Sequence, residues 1–91
     1  TLTSAGAING TTARTRLNTT SGVQANTIAD GQVDGQIKYV TMIADGGNAT
    51  LTANIEGTSI TWSEVGHSAT LLWDLGRSKW YMVGGTATWD V

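Results

Sequence analysis

The chain has no cysteine, no proline and no phenylalanine among its 91 residues, and a single histidine, His67. Without thiols there is no disulfide to staple a small domain and no thiolate for an iron–sulfur or structural zinc site, and one imidazole cannot build one alone. Positive charge is sparse. The five basic residues, Arg14, Arg16, Lys38, Arg77 and Lys79, are scattered through a chain of net charge −2, so no basic stripe marks it for nucleic acid. Nor does any apolar run approach the roughly 20 residues that cross a bilayer. Neither a nucleic-acid nor a membrane partner is expected.

What is present is threonine, glycine and short apolar alternation. Twelve glycines fall among segments whose apolar residues repeat every second position, the period of a strand with one inward face. No segment holds helical spacing over three turns. Strands are expected near 13–20, 23–28, 36–43, 49–55, 59–64, 69–73, 79–83 and 86–89. The fold class is therefore all-β: a small antiparallel sandwich, jelly roll or barrel. One domain is expected at 21–91, and residues 1–20, small, hydroxylated and thinly apolar, read as an N-terminal arm or an edge strand. As an arm, residues 1–12 would be removable without loss of the fold. A chain of this length buries about 60 to 65% of its unfolded surface, so its core is modest and an oligomer is the expected supplement.

Within the strands, Leu51, Ile60, Trp62, Leu71, Trp73 and Trp80 are expected in the core, because each alternates in phase with apolar neighbours. The segment 36–43 is apolar on both faces, with Ile37, Tyr39 and Ile43 on one side and Val40 and Met42 on the other. It is expected to be a central strand, and Ile37, Tyr39 and Ile43 are assigned to the core.

Two echoing stretches, IADGQVDGQ from Ile28 and IADGGN from Ile43, pose a choice between a cation loop and a turn. A calcium loop of EF-hand type needs oxygens at alternate positions and a closing bidentate glutamate, which neither stretch has. Asp30–Gly31 and Asp45–Gly46–Gly47 are instead read as turns bracketing the central strand, their glycines supplying positive φ. No metal or cofactor is expected.

Catalytic constellations are thin. His67 and Ser68 are adjacent, so on a strand they point to opposite faces and cannot act as base and nucleophile. Glu56 and Glu64 would stand roughly 25 Å apart at about 3.3 Å per extended residue, too far for a glycosidase pair. There is no phosphate-cradling Gly-Lys-Ser or Gly-Lys-Thr. The chain reads as a non-enzyme. Asn9, Asn18 and Asn48 form glycosylation sequons that matter only in a glycosylating cell.

The run GQIKYVTMIADGGNATLT at 35–52, with SITWSEVGHSATLLW at 59–73, KWYMVGG at 79–85 and the opening SAGAINGTTARTRLNTT, resembles a family of small virion structural proteins of tailed bacteriophages. The resemblance spans nearly the whole chain. It departs at His67, where an acidic residue is expected after the glycine, and at the longer turn DLGRSK. It implies an assembly role rather than chemistry: a homotrimeric head decoration, or cement, protein on the outer capsid surface, with the major capsid protein as partner. Arg14, Arg16 and Leu17 are the expected capsid contacts. The same resemblance allows an appendage or tail-fibre module, in which Trp80, Tyr81 or Trp89 would meet a host-surface glycan.

Overall fold

The computed structural model describes all residues, 1–91. It is all-β, with nine strands: β1 (Ala7–Ile8), β2 (Arg14–Asn18), β3 (Gln24–Ile28), β4 (Ile37–Ala44), β5 (Ala49–Leu51), β6 (Ser59–Trp62), β7 (Ser68–Asp74), β8 (Lys79–Gly85) and β9 (Thr88–Asp90). They form a five-stranded sheet, β1-β3-β5-β6-β9, and a four-stranded sheet, β2-β4-β7-β8. The two sheets enclose one core and do not close into a barrel. The sheets are mixed rather than antiparallel, which corrects the expectation from sequence. β1 and β3, β3 and β5, and β2 and β4 pair in parallel.

The parallel pairs arise because the chain changes sheet at each of its first four connections. Leu2 bridges Leu17 in parallel, so residues 2–51 wind as a two-sided coil, each turn laid beside the previous one. From β6 onward the chain pairs antiparallel, through β7–β8 and β6–β9. A connection between parallel neighbours must cross the molecule, whereas an antiparallel pair needs only a turn. Residues 1–20, read as arm or edge strand, contribute β1 and β2, one edge strand of each sheet. Ile8 and Leu17 are buried there.

Asp30–Gly31 and Asp45–Gly46–Gly47 lie on connections that carry the chain from one sheet to the other, not on hairpins. None of these glycines has positive φ; in this part of the chain that role falls to Gly22 and Gly35. Gly31 is required for space, because a Cβ there would collide with the Trp73 ring, and Gly46 lies against the backbone of Thr19 and Thr20. The aspartates fasten the connections: Asp30 Oδ1 accepts from Asn54 Nδ2 at 2.8 Å, and Asp45 Oδ1 from the Gly47 N–H at 3.2 Å.

Sixteen buried apolar residues form a single core, including Leu51, Ile60, Trp62, Leu71, Trp73 and Trp80. Two indoles also join the layers. Trp62 Nε1 of β6 donates to the Val40 carbonyl of β4 at 3.0 Å, and Trp80 Nε1 of β8 donates to the Ala29 carbonyl beyond β3 at 2.9 Å. The expected strand at 49–55 stops at Leu51; Asn54 takes positive φ, which asparagine tolerates, and Ile55 returns to bridge Trp80. The folded chain exposes 4488 Å², where a monomer of this mass exposes about 5,000 Å². The fold is thus compact for its mass.

Candidate functional site

β4 is central in its sheet, but its inward face is Lys38, Val40 and Met42. Ile37, Tyr39 and Ile43, assigned to the core from sequence, point outward and are 39%, 49% and 40% exposed. The strand is apolar on both sides, so apolarity could not choose the inner face, and a lysine on one side argued for the wrong choice. Lys38 resolves its burial by running its stem along the core and donating Nζ to the Thr12 carbonyl at 3.0 Å and to Thr12 Oγ1 at 2.9 Å. Desolvation holds its pKa below the ordinary 10.5.

The outer face of the four-stranded sheet consequently carries an apolar band, interrupted by Thr41, Ser68 and Thr70. Cross-strand register sets Ile37 beside Leu72 and Leu72 beside Tyr81, with Tyr39, Ile43 and Val83 on the same side. Arg14 and Arg16 stand on this face along the β2 edge, opposite Tyr39 and Thr41. Leu17, grouped with them from sequence, is fully buried and cannot reach a partner surface. The alternation of β2 sends its arginines out and Thr15 and Leu17 in.

At one end of the face is a cleft of about 270 Å³ lined by Asp34, Gly35, Leu72, Trp73, Asp74 and Tyr81. Each carboxylate is oriented by one backbone donor: Leu75 N–H to Asp34 Oδ1 at 3.1 Å, and Arg77 N–H to Asp74 Oδ1 at 3.2 Å. Neither takes part in an ion pair, because Arg77 and Lys79 turn instead toward Glu56, at 3.1 and 3.9 Å. The cleft was not legible in the sequence, since Asp34 and Asp74 are 40 residues apart and meet only through the β4–β7 pairing.

Other candidates are dispersed. His67 faces Ser63, not Ser68: its Nδ1 accepts the Ser63 N–H at 3.2 Å and lies 3.4 Å from Ser63 Oγ, while Nε2 is 3.8 Å from Glu64 Oε2. The ring nitrogen nearest the hydroxyl is thus engaged by the backbone and closes a turn. No three His, Asp or Glu side chains converge for a metal. Trp80 is buried and Trp89 Nε1 donates to the Glu56 carbonyl at 2.9 Å, so Tyr81 alone of the three proposed glycan contacts lines a cleft. No protein-family model matches the chain, and no curated protein is detectably similar to it.

Proposed function

We propose that the protein is a non-enzymatic virion structural protein of a tailed bacteriophage, a trimeric head decoration protein that binds and stabilises the capsid shell. The observation that carries this reading is the outer face of the four-stranded sheet, where an apolar band adjoins two outward arginines with no intramolecular ion pair. Such a face suits protein contact, since apolar area supplies affinity and unpaired guanidinium groups select carboxylates. The ordered resemblance of the 35–52, 59–73 and 79–85 stretches to phage virion proteins supports the same reading. Incubating the protein with undecorated heads and imaging the particles tests it: the wild type occupies the shell and Arg14→Glu/Arg16→Glu does not. Bare shells in both cases overturn it.

One observation favours a second reading, an appendage module for host glycan. The cleft joins the ring of Tyr81, on which a sugar can stack, to two oriented carboxylates that can accept its hydroxyls. Saturable binding on a glycan array, lost in Tyr81→Ala, would select it.

A further inference from the structure

We infer that the outer face of the four-stranded sheet is a self-association surface, on which the Arg14/Arg16 edge of one copy seats against the Asp34/Asp74/Tyr81 cleft of another. The face itself specifies this occupant. Nine large apolar side chains are exposed in the molecule. Val23, Val33, Val65, Leu75 and Val91 lie outside the strands, and every one within a strand, Ile37, Tyr39, Ile43 and Val83, is on this face. The outer face of the other sheet has none. There the register row Ala25, Thr50, Thr61, Thr88 is small and hydroxylated, which is how a sheet face is finished when water is its only partner.

Charge on this face is of both signs: the arginines stand on the β2 edge and the carboxylates at the cleft end, where Lys79, cross-strand from Asp74, turns toward Glu56. Two outward arginines without an ion pair line one edge, and two oriented carboxylates without one flank Tyr81 at one end. A guanidinium entering the cleft meets carboxylate oxygens and an aromatic ring together, the surroundings that favour arginine over lysine. A second copy brings that group and an apolar band of matching size. Four strands at about 4.8 Å and seven residues at about 3.3 Å give a face of roughly 19 by 23 Å. That footprint is at the small end of specific interfaces, so the association is reversible rather than obligate. Because edge and cleft are different patches of one face, two copies about a two-fold axis satisfy both contacts at once, and head-to-tail joining closes as a ring only where the rotation between copies closes.

Sedimentation of the purified chain between about 10 μM and about 1 mM gives the test. The wild type is expected to show concentration-dependent mass, weakened by added salt. Arg14→Glu/Arg16→Glu and Asp34→Asn/Asp74→Asn each weaken association by about tenfold or more, and combining them adds little, since they remove the same contact. Asparagine keeps the oxygen that accepts the Leu75 and Arg77 N–H groups, and the exposed arginine pair gives an independent variant should the cleft variant misfold. Thr61→Glu, on the hydroxylated face, leaves the mass unchanged. A strict monomer throughout overturns the inference, as does association that survives both variant pairs, or glycan binding at the cleft of a protein that stays monomeric. The proposed function gives the same arginine edge to the shell, so shell and second copy compete for it. Asp34→Asn/Asp74→Asn separates them, because it removes the self-contact and leaves the arginines free. Mass unchanged from wild type in that variant overturns this surface whatever the shells show, and bare shells with concentration-dependent mass overturn the proposed function alone.

Discussion

Residues 2–51 and 55–90 fill the same two sheets by different means. All five buried polar or charged side chains, Thr15, Thr19, Gln24, Asn26 and Lys38, belong to the first stretch, and all four tryptophans belong to the second. In the coil, polar side chains reach across to backbone of neighbouring turns. Gln24 Nε2 donates to the Asn18 and Leu2 carbonyls, Thr19 Oγ1 to the Gly47 carbonyl, and Gln36 Nε2 to the Gly10 carbonyl. In the antiparallel part, ring packing dominates, with the Trp73 and Trp80 centroids 5.3 Å apart at a tilt of 55°. The first stretch gives seven of the sixteen core residues and adds hydrogen bonds that its own winding supplies, each of which would be expensive to leave unmade once the chain is folded.

The sharpest way to break this contrast is to remove residues 1–12. Contrary to the expectation that an arm could be lost freely, the deletion takes away β1, the buried Ile8 and both acceptors of Lys38. Loss of the Ile8 side chain alone costs about 2 to 5 kcal/mol, so the truncated chain is expected to be unfolded or near its midpoint at 25 °C by circular dichroism. Retention of a wild-type melting transition would show that the coil does not depend on its first turn. Next, Trp80→Ala should lower stability by about 3 to 5 kcal/mol in urea titration, through cavity formation and the orphaned Ala29 carbonyl. In the coil, Gln24→Ala should cost about 1 to 3 kcal/mol, because the Asn18 carbonyl loses its side-chain donor while the Leu2 carbonyl keeps only the Asn18 N–H; a cost below about 0.5 kcal/mol would mean that burial, not hydrogen bonding, holds that half.

Lys38 adds a pH test. Its folded-state pKa is lowered, so the folded state releases the proton before the unfolded one does. Below the lowered value both states are charged and the desolvation penalty is fully present; stability then rises with pH until about 10.5, where the penalty is gone. Lys38→Met is expected to abolish that rise and to stay within about 1 kcal/mol of wild type at neutral pH. The smallest effect is expected from Arg14→Glu/Arg16→Glu, within about 0.5 kcal/mol in folding stability, since both side chains are outside the core. That variant separates docking from folding.

Class and strand positions were legible because alternation and turn residues act locally; β2, β3, β4, β6, β7, β8 and β9 fall near their expected places. β1 was not, since Ala7–Ile8 is two residues long and carries no period. Parallel pairing was also hidden, because nothing in Gln24–Ile28 states that its neighbours lie in β1 and β5 rather than β2 and β4. The inner face of β4 was misread for a reason of chemistry: Lys38 can be buried only because Thr12 arrives from another turn of the coil. The docking face was hidden by the same error. Once Ile37, Tyr39 and Ile43 are counted as core, no apolar surface remains to be noticed.

The winding of the first half also sets a clock. Ala7 pairs with Thr27, Arg14 with Tyr39 and Gln24 with Ala49, so each parallel pair must close a loop of 20 or 25 residues before its hydrogen bonds form, whereas Asp74 and Lys79 meet across a short turn. Loop-closure entropy precedes the reward, which places folding of such a chain in the slow, millisecond-to-second regime. The β7–β8 hairpin is the natural place to start, and the coil is the last part to wind on. During that interval the unpaired strands of the first half are open to pairing with other chains, so refolding yield should fall with protein concentration while the equilibrium stability does not.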